Sequence, residues 1–178
     1  MKEIIEGREL IVLDGLIRGT YHKAHNDISG AQSNSVERDR IGVLFLTGLA
    51  ATRASNGDGA VYWADAFAGQ GYPSFRLDLP GYGDSEGDFS AEGLDFIDRG
   101  GYAPIVAANI KELVSRFNLS GVVIVGHCSG TASAIYTGAV SKECKGLVLM
   151  DPYFHMQQVK LPKFRRQLHT WALQVHLD

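Results

Sequence analysis

Two glycines and a cysteine at fixed spacing are the clearest chemical signal in the sequence. Residues 126–130 read Gly-His-Cys-Ser-Gly and lie between a short apolar run and a stripe of apolar residues at helical spacing. A nucleophile at a strand-to-helix junction sits on a sharp turn, and the residues two positions away on each side must be small. Gly126 and Gly130 meet this need around Cys128. We therefore predict that Cys128 is a catalytic nucleophile, and we call residues 126–130 the elbow.

Ser129 is the alternative nucleophile in the elbow. That assignment would put His127 and Thr131 at the two positions that must be small, so the sequence favours Cys128. The backbone N–H of Ser129 follows the nucleophile and opens the helix, where half of an oxyanion hole is expected. The start of a helix also favours a thiolate through the helix dipole. We expect the side chain of His127 to point away from Cys128 and to serve in packing.

The segments around the elbow alternate between predicted strands and helices. The continuous apolar run at 42–46 is typical of a strand buried on both faces of a parallel sheet, and 122–125 is predicted as a second buried strand. Residues 74–79 and 147–150 are predicted as two further strands. Apolar stripes at helical spacing separate them, at 61–68, 106–117 and 132–140. This order predicts an α/β fold with a mostly parallel sheet and helices on both faces.

Two further features precede that region. Asp14-Gly15 stands between two apolar runs and predicts an N-terminal hairpin. Residues 26–40 are polar and rich in Ser, Asn and Gly, which predicts a loop.

Composition excludes several classes of function. The chain has 178 residues, which suits one domain, and a net charge of −3, which argues against a nucleic-acid partner. No apolar run approaches the roughly 20 residues that cross a bilayer, so no membrane partner is expected. Cys128 and Cys144 are too few for a disulfide framework, and the N-terminus has no apolar signal core. These features predict a cytoplasmic protein.

The elbow resembles the nucleophile elbow of α/β-hydrolases, with cysteine in place of the usual serine, as in dienelactone hydrolases. Residues 46–50, Leu-Thr-Gly-Leu-Ala, are similar to the family's turn after the third strand. Residues 78–85, Asp-Leu-Pro-Gly-Tyr-Gly-Asp-Ser, are similar to its D-x-P-G-x-G-x-S segment after the fourth strand. The Cys-Ser-Gly part of the elbow also resembles serine-aminopeptidase-like hydrolases found beside exosortase and exopolysaccharide systems.

The resemblance implies an acyl hydrolase that acts on small carboxylic esters or thioesters. A Cys128 thiolate would attack the carbonyl carbon, and the N–H groups of Ser129 and Leu49 would hold the resulting oxyanion. Water or another acceptor would then clear the acyl-enzyme. Such chemistry needs no cofactor, and we expect no metal site. The expected partner is a small-molecule acyl substrate.

In family terms the sequence corresponds to a truncated hydrolase. Residues 1–154 correspond to a core with strands one to six, and residues 155–178 form a predicted amphipathic tail at the start of a cap. The usual acid and base lie beyond this point. Asp151, after the last predicted strand, is the candidate acid, unless it simply ends that strand. His155 and His176 are candidate bases. The alternative is that both are solvated residues of the tail. A bared sheet edge predicts self-association.

Three hypotheses follow from these features. In the first, the chain is most of a cysteine hydrolase, or of an acyltransferase with the same acyl-enzyme. In the second, it is a non-catalytic, hydrolase-derived interaction protein. In the third hypothesis it is active through Asp151 with a tail histidine or with a base from another subunit. Asp84 and Ser85 are expected to fix their turn, and His22 is expected at the surface.

Overall fold

Six strands in one sheet organise the chain, in a computed structural model that describes residues 7–25, 27, 40–49 and 51–153. The order across the sheet is first, second, fourth, third, fifth, sixth. The strands are β1 (Arg8–Leu13), β2 (Ile17–His22), β3 (Ile41–Leu46), β4 (Ser74–Leu77), β5 (Gly121–His127) and β6 (Cys144–Met150).

The sheet is mixed, with a parallel part that carries the elbow. β1 pairs antiparallel with β2, and β2 pairs antiparallel with β4. β3 lies parallel to β4 and β5, and β5 lies parallel to β6. The predicted hairpin is confirmed: Asp14, Gly15 and Leu16 connect β1 to β2, and Asp14 and Gly15 have φ values of 46° and 69°, which an Asp-Gly pair adopts readily.

Helices cover both faces of the sheet. They are α1 (Gly59–Gly69), α2 (Leu94–Asp98), α3 (Ala103–Arg116) and α4 (Gly130–Val140), and a short 3₁₀ turn at Asn56–Asp58 precedes α1. On one face Val43 and Phe45 of β3 pack with Ala64 of α1. Leu44, which alternates with them, belongs to the larger core beneath α3 and α4. The predicted α/β fold class, with a strand at 42–46 buried on both faces, is confirmed.

Three details differ from the sequence-based expectations. The strand predicted at 74–79 ends at Leu77, before the Pro80 turn, and α2 was not predicted because it is only five residues long. β6 is poorly covered: Leu147, Val148, Leu149 and Met150 are 39%, 45%, 40% and 37% exposed. The predicted tail and most of the predicted loop at 26–40 lie outside the described residues. Among the described helices, none is long and apolar enough to cross a membrane.

Candidate active site

Cys128 occupies the turn between β5 and α4 in a backbone conformation that few residue types adopt. Its φ is 54°, in the left-handed region that disfavours any residue with a Cβ atom. Hydrogen bonds hold the turn on both sides. The Cys128 N–H donates to the Met150 carbonyl at 3.0 Å, and the Thr131 N–H and hydroxyl donate to the Cys128 carbonyl at 3.1 Å and 2.6 Å. The thiol is free and partly exposed.

The two glycines of the elbow lie where no side chain fits. A Cβ atom on Gly126 would lie 2.8 Å from the Gly130 carbonyl oxygen. A Cβ atom on Gly130 would lie 2.5 Å and 2.7 Å from the carbonyl oxygens of Leu46 and Thr47. These neighbours are backbone atoms of the sheet and its turns, so they cannot move aside cheaply. The sharp turn at Cys128 therefore depends on both glycines.

The turn after β3 packs directly against the elbow through a third glycine. A Cβ atom on Gly48 would lie 2.9 Å from the Cys128 Cβ atom and 3.4 Å from its Sγ atom. The turn is closed by the Ala51 N–H, which donates to the Gly48 carbonyl at 3.2 Å, and by the Thr47 hydroxyl, which donates to the Ala51 carbonyl at 3.1 Å. The structure thus brings together the two segments expected to form an oxyanion hole.

A hydrogen bond joins the two residues expected to supply the oxyanion N–H groups. The Leu49 N–H donates to the Ser129 Oγ atom at 2.7 Å. Ser129 is 1% exposed, so this hydroxyl lies beneath the surface, whereas the neighbouring Cys128 thiol is partly exposed. The Leu49 amide is therefore already oriented by an acceptor within the protein.

A buried ion pair fixes the far end of the same turn. The Arg53 N–H donates to Asp78 Oδ1 at 2.5 Å, the Arg53 guanidinium pairs with the Asp78 carboxylate, and it lies 2.8 Å from Asp84. The Asp78 side chain is fully buried at the end of β4. Burial lowers the pKa of Arg53, but its bonds to Asp84 and Asp78 outweigh burial and raise that pKa.

The Gly-rich segment after β4 encloses the Asp78 carboxylate. A Cβ atom on Gly83, whose φ is 49°, would lie 2.3 Å from that carboxylate. The Asp84 N–H donates to Asp78 Oδ2 at 3.1 Å, and the Ser85 hydroxyl donates to the Asp78 carbonyl at 2.6 Å. Asp84 and Ser85 therefore fix their own turn, as expected from the sequence.

A polar network that the sequence did not predict extends from Arg53 across the sheet. Arg76 of β4 donates to the Arg53 carbonyl at 2.9 Å and to His22 Nε2 at 2.8 Å. Because Nε2 accepts, His22 carries its proton on Nδ1 and donates to Asp65 of α1 at 2.7 Å. Together these residues link α1 and β2 to the turn that carries Leu49. We call Asp65, His22, Arg76, Arg53 and Asp78 the polar network.

The prediction that His22 lies at the surface was wrong. The residue is 1% exposed because its strand packs in the interior of the sheet, beneath α1. Burial lowers the pKa of His22 to about 4, against the opposing effect of the hydrogen bond to Asp65. No motif surrounds His22 in the sequence, so a local pattern could not have identified its partners.

The remaining candidates lie around the edge of the elbow. Asp151 is exposed and follows Met150, whose carbonyl accepts the Cys128 N–H, so the end of β6 adjoins the elbow. His127 lines a cleft of about 130 Å³ together with Trp63 and Met150. His155 and His176 lie outside the described residues. The described part of the chain contains no group of His, Cys, Asp and Glu side chains suited to a metal ion.

Three features define the class of fold: the strand order, the elbow and the turn that packs against the elbow. A family model matches the same class of fold. The model of the alpha/beta hydrolase fold matches residues 42–176. The chain therefore belongs to the α/β-hydrolase fold family. No curated protein matches the sequence.

Solved structures show the same fold at low sequence identity. TT1662 from Thermus thermophilus matches with a TM-score of 0.60 and 17% identity, over 93% of this chain and 66% of that one. The Pyrococcus furiosus esterase Pf2001 matches with a TM-score of 0.61 and 16% identity, over 90% of this chain and 60% of that one. DcsB, solved in complex with its substrate analogue, matches with a TM-score of 0.61 and 20% identity, over 96% of this chain and 55% of that one. The chain thus spans between about half and two thirds of the length of these structures.

Proposed function

We propose that the chain carries the nucleophile and oxyanion hole of an acyl hydrolase that acts on small carboxylic esters or thioesters. The main supporting observation is the position of Cys128, whose φ of 54° is maintained between two glycines that cannot be replaced without backbone collision. A residue with a Cβ atom in this conformation costs about 1–2 kcal/mol, and such strain clusters at functional sites. A purely structural turn would be more stable with glycine at this position.

The proposed reaction is acyl transfer through a covalent intermediate. The Sγ atom of Cys128 forms a bond to the substrate's carbonyl carbon, and the carbonyl π electrons move to oxygen. The oxyanion accepts hydrogen bonds from the N–H groups of Ser129 and Leu49. Its collapse expels the alkoxide or thiolate and leaves a thioester on Cys128. Water then attacks this thioester, releases the carboxylic acid and restores the thiol.

Proton transfer needs an acid and a base in addition to the nucleophile. A base must take the thiol proton and return it to the leaving group, then take a proton from water during deacylation. Asp151 is our candidate acid because the end of β6 adjoins the elbow. His155 and His176 are the candidate bases within the sequence. Another acceptor in place of water would make the protein an acyltransferase with the same acyl-enzyme.

A non-catalytic, hydrolase-derived interaction protein is the second candidate function. The poorly covered side chains of β6, from Leu147 to Met150, support it, because contiguous exposed apolar residues mark interaction sites. The same strand is our candidate surface for self-association. We also propose that the protein is cytoplasmic, since Cys128 and Cys144 are both free.

Substitution of the two neighbouring elbow residues tests the hydrolase proposal. Turnover of a p-nitrophenyl ester should be abolished in Cys128→Ala, while Ser129→Ala should keep measurable turnover because its backbone N–H remains. Cys144→Ala is the matched control for loss of a thiol and should retain wild-type turnover. Equal and complete loss in Cys128→Ala and Ser129→Ala would contradict the assignment of Cys128. Full turnover in Cys128→Ala would refute it.

A further inference from the structure

The hydroxyl of Ser129 is poorly explained by helix capping or by surface solvation. Ser129 precedes α4 in the N-cap position, yet its side chain makes no capping hydrogen bond to the helix. It is 1% exposed and accepts the Leu49 N–H at 2.7 Å from a residue 80 positions earlier in the chain. The hydroxyl thus connects the elbow to the turn after β3.

Among the described residues, the Ser129 Oγ atom is the hydrogen-bond acceptor of the Leu49 N–H group. Leu49 is itself 39% exposed, so it is not held by burial in the core. The closing bonds of the turn involve Thr47, Gly48 and Ala51, and the polar network holds it at Arg53. The bond to Ser129 therefore sets the direction of the Leu49 N–H group.

We propose that Ser129 is a positioning residue, whose hydroxyl orients the Leu49 amide in the resting protein and releases it to the oxyanion during acyl transfer. This inference rests on the proposed function. The backbone N–H of the same residue is the other oxyanion donor, so Ser129 would act twice, once directly and once through Leu49.

The exchange of acceptors favours the transition state over the resting state. A hydrogen bond to an anionic oxygen is roughly twice as strong as one between neutral groups. The Leu49 N–H therefore binds the neutral hydroxyl when no charge is present and the oxyanion when charge develops. Without the hydroxyl, water would compete for the Leu49 N–H group, and the turn would hold that group less firmly in one orientation.

Two measurements on Ser129→Ala test this proposal. The first is amide hydrogen exchange of Leu49 by NMR, which does not depend on activity; loss of the hydroxyl should speed exchange roughly ten-fold or more. The second is the single-turnover acylation rate with a p-nitrophenyl ester, which should fall by roughly ten- to a hundred-fold because the second oxyanion donor is misplaced. Ser129→Thr, which keeps a hydroxyl, should recover part of both losses.

Matched controls separate positioning from general damage. Ser133→Ala removes another buried hydroxyl one turn further along α4, at a residue 2% exposed, and should leave both measurements within about two-fold of wild type. Alkylation of Cys128 by iodoacetamide proceeds without an oxyanion, so its rate in Ser129→Ala should also stay within about two-fold of wild type. If Ser129→Ala does not fold, Ser129→Gly replaces it, since glycine also lacks the hydroxyl and is tolerated at the N-cap position.

The outcomes distinguish failure of this inference from failure of the proposed function. Unchanged Leu49 exchange, or unchanged acylation, in Ser129→Ala overturns the positioning role while acylation at Cys128 still stands. An equal fall in acylation and alkylation also overturns it, because the hydroxyl would then act on the thiol or the fold. Absence of acylation in the wild-type protein refutes the proposed function itself, and with it the role of Ser129 in catalysis.

Discussion

Arg53 and Asp78 form a buried ion pair that ties the turn beside Cys128 to the end of β4. Both the backbone N–H and the guanidinium of Arg53 bind the Asp78 carboxylate, which is completely buried. The site is therefore held on two sides. The glycines hold the elbow, and the buried Arg53–Asp78 ion pair holds the neighbouring turn.

Breaking this pair by removing one partner should strongly destabilise the protein. Asp78→Asn keeps the shape but removes the buried anion of the Arg53 guanidinium, whose side chain is only 17% exposed, and leaves it with the exposed Asp84 carboxylate. We expect a loss of about 3 kcal/mol in the free energy of unfolding, measured by urea denaturation. Arg99→Ala breaks the exposed pair with Glu92 and should cost about 1 kcal/mol or less. Equal losses in the two variants would contradict a structural role for the buried pair.

A methyl group at Gly130 should be far more damaging than one at Gly69, although both are helical glycines. At Gly130 the added Cβ would lie 2.5 Å from a backbone oxygen, whereas at Gly69 it would meet nothing within 4 Å. Gly130→Ala should lower the free energy of unfolding by about 2 kcal/mol, an overpacking cost. Gly69→Ala should be neutral or stabilising by about 0.5–1 kcal/mol because alanine favours helix. Thermal and urea denaturation measure both, and a tolerated Gly130→Ala would show that the elbow can relax.

Glycine at position 128 should give a more stable protein than alanine, the reverse of the usual order. Because the φ of Cys128 is 54°, Cys128→Ala keeps the strain of a Cβ atom and Cys128→Gly removes it. We expect Cys128→Gly to exceed Cys128→Ala by about 1 kcal/mol in the free energy of unfolding. Both variants lack the thiol, so the comparison isolates backbone strain. Equal stabilities would mean that the elbow is unstrained.

Stability should decline on acidification as His22 becomes protonated. Its pKa is lowered to about 4 in the folded protein, mainly by burial, and the unfolded value is 6.5. The unfolded state therefore binds the proton first, so the stabilising contribution of neutral His22 is complete above about pH 6.5 and is lost as pH falls through about 4. The pKa of Asp65 is also lowered, despite burial, by bonds to Arg8 and His22, which adds to the loss at the acidic end.

Urea denaturation between pH 7 and pH 4 measures this effect. The lowering of the His22 pKa from 6.5 to about 4 corresponds to a loss of about 3 kcal/mol in the free energy of unfolding between pH 7 and pH 4. His22→Gln retains a neutral polar side chain and should show a shallower decline than wild type. An identical decline in both proteins would show that His22 does not control the acid response.

Sequence patterns predicted the local elements well because each depends on nearby residues. The run at 42–46 is apolar without alternation, and the strand there is buried on both faces. Gly126 and Gly130 were predicted to flank the turn, and the structure shows the backbone atoms that require them. These signals lie within a few residues of the feature that they predict.

The polar network and the Leu49–Ser129 bond could not have been predicted in the same way. His22 and Asp65 are 43 residues apart, and Leu49 and Ser129 are 80 residues apart. Their contacts depend on the strand order, in which β2 lies beside β4 and β3 lies beside β5. A buried histidine on a strand and an exposed one look alike in sequence, since partners from distant elements decide the cost of burial.

Mass spectrometry of a trapped acyl-enzyme tests whether Cys128 is the nucleophile. The protein is mixed with p-nitrophenyl acetate, quenched in acid within its first turnover, digested and mapped. We expect one acetyl group on Cys128, absent from the Cys128→Ala protein and still present in Cys144→Ala. An acetyl group on Ser129, or equal labelling of the Cys128→Ala protein, would contradict it.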